Sequence, residues 1–294
     1  MPMRFSLVLA FVIAALLTPR PAAAWGFEAH KFIASRVLAL LPAEIRPYFE
    51  KHRDIFVERS IDPDLWRTAG YEAEFPHHFV DMDAYGPHPF KDLPHEYDAA
   101  VKKYGREFVM KNGTLPWRAE EMYKKLVEAF TQKSGYSRDN IKFFAAWLAH
   151  YTGDAHVPFH AALNHDGHLT GQWGLHSRFE SEAFERFRGK VRVTPGQVVT
   201  VTNPREFMFD SLTASFTYVQ AILDADRRAI AGKDVYDDEY YALFFSKIQP
   251  ILEKRLTDAI VDTASIITAA WIEAGKPAVP LAVQRSPRTV KKGL

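Results

Sequence analysis

HYTGDAHVPFH, residues 150–160, followed after fifteen residues by HSRFE, residues 176–180, decides how this chain is read. His150 and Asp154 stand four residues apart, as do His176 and Glu180, and His160 follows Asp154 by six. On a helix, residues at i and i+4 share a face about one turn apart, so both members of such a pair can reach one ion. Imidazoles and carboxylates without thiolates favour zinc or another borderline divalent metal over iron–sulfur or copper(I) chemistry. A single His on an apolar helix is more often a hydrogen-bonded core residue than a ligand. Burying a His and an Asp together without cation or partner costs about 2–7 kcal/mol for each polar group. That cost favours ligation for His150, Asp154 and His160, and His176 with Glu180 gains the same reading by following them.

Working outward, Ile141 to about His156 reads as a helix capped by Asp139 or Asn140. Phe143, Phe144, Trp147 and Leu148 make it apolar nearly all round, the mark of a buried central helix. Apolar stripes also predict helices over His30–Leu41, Trp117–Gln132 and His176–Phe187, with long ones inside Glu206–Ile230 and Tyr240–Ala274. The best strand signal is a hairpin at Val191–Thr202 (VRVTPGQVVTVT). Asp54–Asn112, with five prolines and many aromatics, reads as loop-rich and is expected to wall a pocket. Phe79, Tyr85, Phe90 and Trp173 are the candidate wall residues, although most such aromatics belong to cores. The expected fold is mostly α, one domain, with at most a small β-hairpin.

Residues 1–24 read as an export signal rather than part of that fold. A basic start, an apolar run from Phe5 to Leu17, Pro19 and Pro21, and then Ala22-Ala23-Ala24 match a signal-peptidase substrate. Cleavage there would leave Trp25 as the N-terminus, a secreted or periplasmic protein, and a domain over residues 25–276. Residues 277–294 form a basic, proline-punctuated tail expected to be disordered. The side-chain charge moves from +1 to −1, because Arg4 and Arg20 leave with the signal. Such neutrality gives no support for a broad basic nucleic-acid surface. The absence of cysteine excludes a disulfide framework and thiolate ligands.

Further donors lie upstream. IDPDLWR (61–67) carries Asp62 and Asp64, and PHHFVDMD (76–83) carries His77 and His78. One Asp and one His of these would complete another metal site, leaving the others beside it or on the surface. His156 is off the helical face of Asp154 and is expected behind the ligands. His52, His88, His95, His165 and His168 read as exposed or structural. At the mature N-terminus, WGFEAH (25–30) places His30 five residues after Trp25, whose α-amine and carbonyl oxygen could chelate a metal.

With these residues in place, the chain resembles the zinc-dependent phospholipase C / S1–P1 nuclease superfamily, helical enzymes with three zinc ions in a cleft. The resemblance implies that Trp25 and His30 hold one zinc, which Asp154 bridges to another held by His150, Asp64 and His78. It assigns the remaining zinc to His160, His176 and Glu180. These nine positions span Trp25 to Glu180, after which the resemblance fades into generic helix. The short spacing from Trp25 to His30 is that of the S1–P1 nucleases. GLHSRFE (174–180), with Glu as its acid, and IDPDLWR look more like the bacterial phospholipases C. TGDAHVPFH (152–160) departs from both, with Val157 where the family usually has Gln, and the fungal nucleases' disulfides have no counterpart.

The resemblance implies an exported zinc phosphodiesterase. Single-stranded nucleic acid is placed narrowly ahead of phospholipid as the substrate. Asp64 is expected to bind metal and also to accept a proton. A non-catalytic zinc-binding exported protein is the reading of a different class. A di-iron carboxylate bundle would need paired Glu-x-x-His motifs, which are not found.

Overall fold

A computed structural model describes residues 26–132 and 139–281. Residues 1–24, expected to be an export signal, Trp25 and most of the basic tail lie outside the described residues. The elements run α1 (Phe27–Val37), α2 (Arg46–Lys51), α3 (Arg53–Arg59), α4 (Asp62–Thr68), α5 (Tyr97–Tyr104) and α6 (Arg106–Lys111). They continue with α7 (Leu115–Thr131), α8 (Ile141–Asp154), a helical run over 175–187 called α9, α10 (Pro204–Phe216), α11 (Val219–Ile230) and α12 (Asp238–Glu273). No strand occurs among the described residues, so the expected mostly α fold is what forms.

The organising element is α8. It packs against α1, α3, α4, α7 and α12, as its all-round apolarity predicts. Asn140 occupies its N-cap position without a side-chain bond, while Asp139 pairs instead with Lys142. Large side chains with almost no exposure share one core with α8, including Phe49 and Phe56 before it and Phe159, Phe179, Phe209 and Phe244 after it. Each contributes about 1.5–3 kcal/mol of burial free energy. The predicted helices at both ends also form: α12 is capped by Asp237, whose carboxylate accepts from Tyr240 N at 2.7 Å.

Two expectations fail. The hairpin at Val191–Thr202 does not form, because the segment finds a helix instead of a partner strand. Arg192 N donates to Glu253 Oε1 (2.8 Å) and Val199 N to Ser265 Oγ (2.9 Å), both on α12. Val191, Val193 and Val201 pack on the core while Val198 and Val199 face outward, so the alternation of a strand is satisfied by one helical neighbour. Nor is Asp54–Asn112 mainly loop. It contains α4, α5 and α6, most of α3, and two short 3₁₀ turns, Glu72–His78 and Met82–Tyr85. The misleading signal was proline: Pro63 sits in the first turn of α4, where a missing N–H costs nothing.

Candidate metal centre

α8 ends at the centre of the molecule and brings two donors there one turn apart. His150 Nε2 lies 3.2 Å from Asp154 Oδ2, and both side chains are fully buried. His150 Nδ1 bonds the carbonyl of Ser60 (2.8 Å), just before α4, which directs the lone pair of Nε2 toward Asp154. Residue 153 on the same turn is glycine for a reason of space. A Cβ there would come within 3.1 Å of His30 Nδ1, so α1 can lay its imidazole against α8. His30 thereby stacks on His150 (centroids 4.0 Å apart) with Nε2 3.3 Å from Asp154 Oδ1.

His78 enters from the Glu72–His78 turn, with Nδ1 3.0 Å from Asp154 Oδ2, 3.1 Å from His150 Nε2 and 3.7 Å from Asp64 Oδ1. The turn is fastened to its neighbours. Tyr151, next to His150, donates to buried Glu74, and Arg118 on α7 bonds both Tyr151 (3.1 Å) and Glu74 (3.2 Å). Asp64 comes from the first turn of α4. Beyond Asp154, the Pro158–Ala161 turn carries His160, whose Nδ1 is 3.6 Å from Asp154 Oδ1. On α9, His176 Nε2 is 3.0 Å from Glu180 Oε2, and His160 Nε2 is 3.9 Å from the same oxygen.

Eight of the nine expected positions therefore meet, and Trp25 is outside the described residues. They form three groups whose donor atoms lie within 4.8 Å of one another: His30, Asp64 and His150; His78, His150 and Asp154; His160, His176 and Glu180. The first two share His150, so they are one continuous donor set that Asp154 joins to His160.

The donors fit a cation. His30 Nε2, Asp64 Oδ2, His78 Nε2, Asp154 Oδ1, His160 Nδ1, His176 Nε2 and both Glu180 oxygens are buried without a hydrogen-bond partner. Interiors rarely tolerate such atoms, and here they crowd one place. Burial also holds the imidazoles neutral: His30, which His150 further repels, and His176 are pushed down to about 4, and His78 and His160 fall well below their usual value. Burial drives the carboxylates the other way, Asp64 to about 7 and Asp154 to about 6, with Glu180 well above its ordinary value. Neutral imidazoles are ready ligands, and an arriving cation would draw the carboxyl protons off.

The spare donors point elsewhere. Asp62 accepts from Trp147 Nε1 (3.1 Å), and His77 bonds Thr114 Oγ1 (2.7 Å). His156 ties α8 to Asp262 of α12 (3.0 Å) and touches none of the donors in its described bonds. His88 and His165 are exposed, and His52, His95 and His168 partly so. The expected cleft walls need correction. Tyr85, in the inward-facing Met82–Tyr85 turn, and Phe90 are core residues, whereas Phe79 is half-buried beside exposed Phe75. Trp173 is 67% exposed. The expectation about donors overlooked Arg67, whose Nη2 sits 3.3 Å from Asp64 Oδ1 and whose Nε has no partner. Its position three residues after Asp64 on α4 was the available signal.

A family model described as zinc dependent phospholipase C matches residues 29–259. The chain belongs to that family. This member of the zinc-dependent phospholipase C / P1 nuclease superfamily is thus a zinc-dependent phosphodiester hydrolase, which sets aside the non-catalytic reading. The match extends well past Glu180, covering the generic helices in which sequence resemblance had faded. A search of the curated proteins finds no match. Among the described residues of this family member, no helix is long and apolar enough to cross a membrane.

Proposed function

We propose that the chain is an exported hydrolase holding three zinc ions, with residues 25–276 as its catalytic domain and residues 1–24 removed on export. Trp25 and His30 would hold one ion, Asp64, His78 and His150 the next, and His160, His176 and Glu180 the third, and Asp154, which lies against His30, His78 and His150, would serve both of the first two. The observation that carries this reading is the convergence of the eight described donors, seven of which keep a buried polar atom without a hydrogen-bond partner. When bound, the ions would supply a water acidified toward neutrality and positive charge against the phosphoryl oxygens.

The chain's own residues do the rest. Asp64, Asp154 and Glu180 would not neutralise three divalent ions, so a loaded centre would keep a net positive charge suited to an anionic diester. Arg67, 11% exposed, adds a fixed guanidinium beside Asp64, with an unpartnered Nε to meet a phosphoryl oxygen. Asp64 is the carboxylate placed to take the proton of the attacking water while serving as a ligand.

Between the two substrates, the surroundings favour phospholipid over single-stranded nucleic acid. The segments that lead into His78 and His176, residues 65–77 and 164–175, contain no lysine and one arginine, Arg67. Single-strand binding normally tracks the phosphates with a cationic groove. These segments instead expose Leu65, Tyr71, Phe75, Leu169 and Trp173. Aliphatic side chains do not stack on bases, but a mixed aliphatic and aromatic rim suits a lipid interface.

The test is to incubate zinc-loaded mature protein with phosphatidylcholine vesicles, single-stranded DNA and RNA, with EDTA controls. EDTA-sensitive release of phosphocholine, with polynucleotide cleaved much more slowly, is expected. Faster cleavage of polynucleotide would restore the nuclease reading, and EDTA-resistant turnover would remove the metal mechanism.

A further inference from the structure

Between His176 and Glu180 lies a residue that the proposed chemistry does not use. Arg178 is buried, and the backbone changes there from α-helix (Leu175–Ser177) to a π-helical turn (Arg178–Glu182) before returning to α at Ala183. Such turns are rare and frequently sit at functional sites. A π turn changes the angular offset between residues four apart, so it affects whether His176 and Glu180 face one point.

The Arg178 guanidinium fastens this turn to three separate parts of the molecule. Nε donates to the hydroxyl of Tyr240 on α12 (3.0 Å), and Nη2 to Asp226 Oδ1 on α11 (3.2 Å). Nη1 donates to the carbonyl of Trp173 (2.7 Å) and Nη2 also to that of Gln172 (3.3 Å), in the loop just before His176. The ring of Tyr236 lies 4.0 Å from the guanidinium carbon. Asp226 is itself fixed: the Tyr240 hydroxyl donates to one oxygen and Gln172 Nε2 to the other (2.7 Å). The loop conformation at residue 174 favours glycine. It has φ +78°, and a Cβ there would be 3.1 Å from Nη1. Arg178 therefore grips the chain on both sides of His176 and anchors it to two helices that carry none of the proposed ligands.

We propose that Arg178, with Asp226 and Tyr240, is a positioning group that holds His176 and Glu180 in the geometry of a metal site. This rests on His160, His176 and Glu180 binding zinc. Stability alone gives a poor account of the node, because buried ion pairs are often replaced by apolar side chains of similar volume without loss of stability. Orientation of ligands does account for it, since groups behind a metal's ligands typically contribute about tenfold to a hundredfold in affinity.

The experiment replaces the pair together, Arg178→Met with Asp226→Leu, so that no charge is left buried alone. Zinc per chain is measured by atomic emission across a series of chelator-buffered zinc concentrations, beside wild type, His176→Ala and Arg178→Lys. The double variant is expected to lose one ion per chain at free zinc about tenfold to a hundredfold above the wild-type threshold. His176→Ala should lose the same ion, and Arg178→Lys should recover part of the affinity. Wild-type zinc affinity at all sites in the folded double variant would overturn the proposal. Should that variant not fold, Tyr240→Phe decides, with weakened binding of one ion expected and unchanged binding overturning it. Unaltered zinc content in His176→Ala would instead remove the metal site itself, and this proposal with it.

Discussion

At the scale of single residues, Asp64 and Asp81 show how burial sets chemistry. Asp64 is held between His78 and Arg67, with Oδ2 unsatisfied, which suits both ligation and proton transfer. Asp64→Asn keeps a ligating oxygen but removes the base. Turnover is expected to fall about 10²–10⁴-fold while zinc content, measured by atomic emission, changes little. Equal losses in both would make Asp64 a ligand only. Asp81 lies in the segment between His78 and α5, its Oδ1 buried without a partner, and burial, aided by Asp83, pushes its carboxyl up to about 8. The folded state then binds this proton more tightly than the unfolded chain. Stability from this group is complete below the unfolded value near 4 and is lost as pH rises through about 8. Asp81→Asn should therefore raise the melting temperature over wild type by a margin that widens from pH 5 to pH 8. A margin independent of pH would show that Asp81 ionises normally. Residue types and spacing made the eight donors legible, but they could not choose between Asp62 and Asp64 or between His77 and His78 without the resemblance. In the structure, Trp147 takes Asp62 and Thr114 takes His77, both distant partners invisible to local pattern.

At the scale of elements, the centre depends on how closely α1 approaches α8. Gly153 makes that approach possible, with the nearest His30 ring atoms only 3.1 and 3.2 Å from where a Cβ would stand. Alanine is the better helix former by about 1 kcal/mol, so Gly153→Ala sets helix propensity against the seating of His30. We expect helical circular dichroism to be retained while zinc content drops by the ion that His30 holds. Full zinc content would mean that α1 shifts without disturbing its ligand. The striped helices α1 and α7 and the all-round apolar α8 appeared at the predicted places because apolar patterning is local information. Val191–Thr202 did not form the predicted hairpin, since alternation states which side is apolar but not whether strand or helix will cover it.

At the scale of the whole molecule, the proposed site spans the chain from Trp25 to Glu180 and has a large apolar core behind it. That core, rather than metal, should hold the fold. Chelation is expected to lower the melting temperature while leaving most helical signal intact, because a ligand bound only by the folded state adds about 4 kcal/mol at a thousand times its dissociation constant. Collapse of the helical signal on chelation would show that zinc is required for folding. The reading of Trp25 as a ligand makes a second demand on the entire chain. Protein with one extra residue before Trp25 should lose one zinc and most activity, and full activity with a blocked amine would remove the Trp25 site.

The helical class, the buried character of α8 and the pool of candidate donors could be read from the chain alone, since periodicity and ligand chemistry are properties of residue type and spacing. Packing in three dimensions settles which of several Asp and His residues converge, that Tyr85 and Phe90 serve the core, and that Arg67 and Arg178 stand beside the donors. Those outcomes depend on contacts between residues dozens of positions apart, such as His78 with Asp154 and Arg178 with Asp226. Burial and partner choice arise when helices pack, and no local stretch of the chain encodes them alone.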